Sequence, residues 1–156
     1  MLRAPKNKPG LSAAGLRFGV VAARYNTGLA DALLANCLDT LAKGGADTRD
    51  IKIVRVPGSF EVTAAVARLA RSGRHDCVIG LGLILQGQTS HAQHIGNAVA
   101  QGLTNVAIHT GVPTVFGIVT ANTLSQARVR CLGKQHNRGR EAAVTAIEMA
   151  RLWKNL

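Results

Sequence analysis

The sequence predicts an α/β fold: one four-stranded parallel sheet covered by helices on both faces. Three observations lead there. Four apolar runs of strand length recur along the chain, and each is followed by a segment of helical spacing. Each connection is long enough for a crossover helix, which parallel strands require. The chain has 156 residues, 47% of them hydrophobic and 17% charged, which suits one globular domain with a substantial core.

The elements follow in order. Arg17-Phe18-Gly19-Val20-Val21-Ala22-Ala23 reads as the first strand. Asn26 or Thr27 can cap a helix whose Leu29, Leu33, Leu34, Cys37, Leu38 and Leu41 share one face, and Gly44-Gly45 ends it. Ile51 to Val56 is the second strand, stopped by Pro57-Gly58, and the Ala-rich run from Phe60 to Ala70 is the second helix. Cys77 to Leu85 is a long apolar strand, with a helix from about Thr89 to His109 behind it. Gly111-Val112-Pro113 breaks that helix, and Thr114 to Thr120 is the fourth strand. A short helix near Leu124 to Arg130 and a long one from about Arg138 to Lys154 complete the chain. Residues 1–15, with Pro5, Pro9 and several basic and small residues, read as a flexible basic tail, leaving 16–156 as the domain.

Composition narrows the function classes. No secretory leader or membrane-length apolar segment is visible, which points to the cytoplasm and to no membrane partner. Cys37, Cys77 and Cys131 are widely spaced and odd in number, so they form neither a simple disulfide framework nor an obvious zinc pattern. The formal net charge of +11 permits nucleic-acid binding. The cations are scattered, however, and aromatics make up only 3% of the chain, so base-stacking platforms are lacking. No Asp or Glu occurs from Cys77 to Arg140, which favours anionic ligands along that stretch.

In an open parallel sheet the ligand crevice lies at the carboxyl ends of the strands. Four segments follow those ends here: Arg24-Tyr25-Asn26, Pro57-Gly58-Ser59-Phe60-Glu61, Gln86-Gly87-Gln88-Thr89 and Thr120-Ala121-Asn122. The third runs on into Ser90-His91. A Gly/Thr turn at a helix N-terminus offers unpaired N–H groups and the positive helix dipole to an anion, and His91 could move protons beside it. Such junctions also arise from packing and capping alone. Tyr25 could stack on a flat heterocycle or simply pack. Glu61 suits the dipole of the second helix and could also recognise a hydroxyl-rich ligand. Arg130, Lys134 and Arg138 either bind phosphate or form a solvated basic face. No Gly-x-Gly-x-x-Gly or Gly-x-x-x-x-Gly-Lys-Ser/Thr fingerprint supports a nucleotide-binding module of the same architecture.

Taken in order, these segments resemble the lumazine synthases of riboflavin biosynthesis from about Leu16 to Leu156. The resemblance is carried by Arg24-Tyr25-Asn26, Val56 to Glu61, Gly87 to His91, Phe116 to Thr120, Asn137 to Ala143 and Ala146 to Ala150. It implies a flavodoxin-like three-layer α/β/α sandwich and a homo-oligomer of pentamers, in some members a 60-subunit shell, with association with riboflavin synthase in view. The implied reaction condenses 5-amino-6-(D-ribitylamino)uracil with 3,4-dihydroxy-2-butanone 4-phosphate to 6,7-dimethyl-8-ribityllumazine. Phosphate and water leave, and no cofactor or metal is needed.

The resemblance also implies roles. Tyr25, with Asn26 beside it, stands where the family has its stacking aromatic. Ser59, Phe60 and Glu61 would hold the pyrimidine and the ribityl chain. Ile84 and Leu85 would lie against the ring. Gly87, Gln88 and Thr89 would seat the phosphate, with His91 as proton carrier. From the adjacent subunit, Phe116 would close over the pyrimidine, Arg130 would bind phosphate, Glu141 would orient Arg130, and Arg138 would contact substrate. The chain departs from the family pattern at Gln86, often basic, and at Ala92 and Gln93, usually an aromatic and an acid that could hold His91. It also carries Leu132 and His136 where Gly is usual. These departures bear on catalytic rate and keep open a catalytically weakened shell-forming or ligand-binding protein of the same fold.

Overall fold

The computed structural model describes residues 11–156. Its elements are β1 (Phe18–Ala23), α1 (Thr27–Lys43), a single 3-10 turn (Thr48–Asp50), β2 (Ile51–Val56), α2 (Ser59–Arg71), β3 (Cys77–Leu85), α3 (His91–Thr110), β4 (Thr114–Ala121), α4 (Leu124–Leu132) and α5 (Arg138–Lys154). The four strands are all parallel, in the order β2-β1-β3-β4. This is the three-layer α/β fold that the alternation predicts.

The alternation of side chains across the sheet builds two cores. Phe18, Val20 and Ala22 of β1 join Cys77, Ile79 and Leu81 of β3 beneath α1, α4 and α5. Val21, Ala23 and Val78, from the intervening positions, pack with Val62 and Val66 of α2 and Val99 and Leu103 of α3. Strand period 2 thus sorts consecutive residues into opposite layers. β1 and β3 are central, and β1 is buried throughout. β2 is an edge, and its exposed Lys52 and Arg55 place charge on the open side.

Several boundaries differ from the sequence reading, each for a local reason. α3 opens at His91, two residues later than expected, because Gly87 to Ser90 form a separate turn. Asn26 occupies the cap position of α1 but is left-handed (φ 62°), and its side chain makes no cap hydrogen bond. Thr27 Oγ1 instead donates to the Arg24 carbonyl at 3.2 Å. Of the tail expected over 1–15, residues 1–10 lie outside the described residues. Ser12 to Ala14 are docked: Ala13 is buried and its N–H donates to the Gly44 carbonyl. Arg151 donates to the carbonyls of Ser12 and Ala14. Packing therefore begins before Gly15.

All three cysteines are free and buried. Burial pushes the Cys37 thiol up to about 12 and that of Cys131 to about 11, which suits packing residues and not nucleophiles. Among the described residues no helix is long and apolar enough to cross a membrane, and no cluster of three or more His, Cys, Asp or Glu could hold a metal ion.

Candidate active site

The carboxyl ends of β1 and β2 are laced together. The Arg24 N–H donates to the Val56 and Pro57 carbonyls, and the Tyr25 N–H donates to Pro57 at 3.0 Å. This fixes Tyr25 beside Gly58. A Cβ at Gly58 would meet the Tyr25 ring at 2.8 Å, so only glycine lets the ring lie against this backbone. Tyr25 is nevertheless 66% exposed and Phe60 61%, so two large apolar faces stand open to a ligand.

Glu61 has a structural task. Its Oε2 accepts from the Gly58 N–H at 2.9 Å, closing the first turn of α2, while the Glu61 N–H donates to the Gly58 carbonyl. The N–H groups of Ser59 and Phe60, in the same turn, have no acceptor among the described residues. The Ser59 hydroxyl is buried without a partner there. The first turn of α2 thus keeps unpaired backbone donors at the edge of the crevice, while the Ser59 hydroxyl packs against Gly82 of β3.

Tyr25, Ser59, Phe60, Glu61 and His91 line one cavity of about 530 Å³, shared with His94 of α3. His94 was missed by the sequence reading; helical spacing from His91 was the signal that could have found it. The turn before His91 is exposed. The Gln86 side chain donates to the carbonyls of Gly87 (3.1 Å) and Thr89 (3.0 Å), so Gln86 shapes this turn from within. No described residue accepts from the N–H groups of Gly87, Gln88, Thr89 and Ser90. That is the donor set expected of an anion seat.

A second group lies apart. Arg130 is held by Glu141 through two bonds, Nη2 to Oε2 at 2.8 Å and Nη1 to Oε1 at 3.3 Å, and also donates to the His136 carbonyl. Arg138 reaches the same carboxylate at 3.4 Å and donates to the Phe116 carbonyl at 2.9 Å. Two guanidinium groups share one acid and leave one net positive charge beside Phe116. Phe116, Arg130, Arg138 and Glu141 do not line the cavity that holds Tyr25 and His91. Phe116 borders a different cavity, of about 420 Å³, on the other side of α3.

Residues 15–154 match the family described as 6,7-dimethyl-8-ribityllumazine synthase. The chain is also 44% identical over 146 residues to the 6,7-dimethyl-8-ribityllumazine synthase of Aquifex aeolicus (strain VF5), across 94% of this chain and 95% of that protein. The chain belongs to the lumazine synthase family. It is thus an enzyme of the family that serves riboflavin biosynthesis.

Some lumazine synthase positions sit differently from the sequence expectation. Ile84 and Leu85 are adjacent on a strand, so their side chains point to opposite faces. Ile84 borders the Phe116 cavity, and Leu85 packs on the core beneath α1 and α5. Ala92 and Gln93 also border the Phe116 cavity, so within one chain neither is on the side of α3 where His91 lies. Asn26 borders neither cavity. The absent glycines at 132 and 136 cause no strain, since Asn26 is the only non-glycine of positive φ among the described residues. Asn137 holds that loop instead: its Nδ2 donates to the Cys131 carbonyl and its Oδ1 accepts from the Arg140 N–H.

Proposed function

We propose that this chain condenses 5-amino-6-(D-ribitylamino)uracil with 3,4-dihydroxy-2-butanone 4-phosphate to 6,7-dimethyl-8-ribityllumazine, in sites formed between subunits of a pentamer. The observation that carries the shared site is the separation of the two groups. Tyr25, Phe60 and His91 line one cavity, while Phe116, Arg130 and Arg138 gather elsewhere on the same chain. Each is half of a site, and a neighbouring copy would supply the other half.

In this reading the uracil ring stacks between Tyr25 and the neighbour's Phe116. The unpaired N–H groups of Ser59 and Phe60 meet its polar edge. The phosphate sits on the turn from Gly87 to Thr89, facing the neighbour's Arg130, which Glu141 keeps in place. The 5-amino group and the ketone form an imine, and the ketone oxygen leaves as a first water. His91 moves the protons while phosphate is expelled, and the ribitylamino nitrogen then closes the second ring with loss of water. Charge built up on the leaving phosphate is met by preset donors, which act without reorganisation. Holding two reactants together supplies much of the acceleration, with effective molarities of about 10⁵–10⁸ M in favourable cases. The chain lacks an obvious insertion before Asn137, which favours a closed shell of pentamers over isolated ones.

Purified protein mixed with both substrates tests this directly. Appearance of the lumazine by its absorbance, with stoichiometric phosphate release, is the expected result. Binding of both substrates without product would instead show a ligand-binding protein of the family.

A further inference from the structure

We infer that His94 is a substrate-contacting residue of the first half-site and binds the polyhydroxy chain of the pyrimidine substrate; the inference rests on the function proposed above. It begins with the faces of α3. His91, His94, Ile95 and Ala98 line the Tyr25 cavity, and their spacing of three, four and seven residues defines one helical stripe. Ala92, Gln93 and Gly96 line the cavity on the other side. The only titratable side chain of α3 sharing the cavity with His91 is therefore His94.

The His94 ring is positioned. Its Nε2 lies 3.1 Å from Ser90 Oγ, and the His94 backbone N–H donates to the Ser90 carbonyl at 3.0 Å, which keeps the two residues together. Ser90 occupies the cap position of α3 yet makes no side-chain bond to the backbone, because its hydroxyl serves His94. With Nε2 engaged, Nδ1 is the nitrogen left without a partner among the described residues. It acts as donor or acceptor according to the tautomer, and a polyol satisfies either.

Place along the helix identifies the ligand part. The anion seat is the turn before His91. Three residues further on, His94 stands about 4.5 Å deeper along the axis, at ~1.5 Å per residue. It is thus displaced from the phosphate and lies on the wall opposite α2, which contributes Phe60 and Glu61 to the same cavity. Glu61 is the cavity's only carboxylate, and its Oε2 is already engaged by Gly58. Beyond His91 beside the anion seat, a hydroxyl-rich chain in this space has His94 Nδ1 as an open side-chain partner on α3.

Steady-state kinetics with each substrate varied in turn test the assignment, using the parent protein and the His94→Ala, His94→Asn and Ser90→Ala variants. Loss of one neutral hydrogen bond raises KM for the ribitylamino-pyrimidine by about 3–10-fold, while KM for the phosphate substrate stays near parental. His94→Asn recovers most of the loss, because the amide nitrogen sits one bond from Cγ as Nδ1 does. Ser90→Ala gives a smaller rise in the same KM by freeing the ring. Unchanged constants in His94→Ala overturn the assignment, and so does an equal rise for both substrates. If His94→Ala fails to fold, His94→Asn and Ser90→Ala decide it by the same criteria. Calorimetric binding of the pyrimidine separates the two levels of the argument. A parent that binds it but forms no product defeats the proposed reaction, and the ratio of dissociation constants still judges His94. A parent that does not bind it defeats both.

Discussion

At the scale of residues, the two proposed half-sites predict different kinetic signatures. Arg130→Ala removes a charge-assisted contact worth about 1.5–3 kcal/mol, so KM for the phosphate substrate rises roughly 10- to 150-fold while the pyrimidine KM changes much less. Glu141 is not orphaned by this change, because Arg138 still reaches it. Equal losses for both substrates would show that Arg130 is structural. His91→Ala lowers kcat by about 10²–10⁴-fold, the usual contribution of a proton carrier, without abolishing turnover, because positioning survives; parental turnover would remove His91 from the mechanism. Gly58→Ala forces the Tyr25 ring away, since the new methyl would sit 2.8 Å from it. Because the ring is exposed, the melting temperature moves little while pyrimidine affinity falls. A large drop in melting temperature with unchanged affinity would place the role of Gly58 in folding.

At the scale of elements, the amino end of the sheet is tied by one carboxylate. Asp76 precedes β3 and accepts from the Arg17 N–H at 2.7 Å and from the Arg17 guanidinium, and Lys154 near the end of α5 lies 3.5 Å away. Burial pushes the Asp76 carboxyl up, but the Arg17 hydrogen bonds and the two cations together hold it below the ordinary carboxylate value. A folded-state value below the unfolded one contributes stability that is complete above the unfolded value, about 3.9, and is lost as pH falls further. The parent's melting temperature therefore drops between about pH 4 and more acidic solution. Asp76→Asn is less stable at neutral pH, by about 1–2 kcal/mol, and its decline in acid is shallower. Parallel acid profiles for parent and variant would show that other carboxylates dominate. Elements also explain the sequence reading's partial success: period 2 and helical spacing are local, so all four strands and five helices were legible. The docking of Ser12 to Ala14 was not, because it depends on Arg151, more than 130 residues away.

At the scale of the whole molecule, the separation of the two groups predicts assembly. Light scattering at micromolar concentration is expected to give a mass near five times the 16.3 kDa chain, or a multiple of that pentamer. A monodisperse monomer would leave each half-site alone and end the two-subunit reading. The same separation shows why motifs in order along the chain do not by themselves form a site. Tyr25, Gly58 and His91 come together because parallel strands bring their carboxyl ends to one edge. Phe116 borders the cavity on the far side of α3 from His91, and Arg138 of α5 reaches its backbone carbonyl.

By itself the sequence determined the alternation of elements, the parallel sheet, the excess of cations and the segments at the strand ends, because each is written in neighbouring residues. Tertiary structure alone decided which side of α3 each residue serves. Helix rotation sets His91 and His94 on one cavity and Ala92 and Gln93 on another. Strand pleating likewise parts Ile84 from Leu85. Both outcomes depend on how an element is turned against its neighbours, and that is fixed by burial of the opposite face: Val99 and Leu103 of α3 must pack into the core with α2.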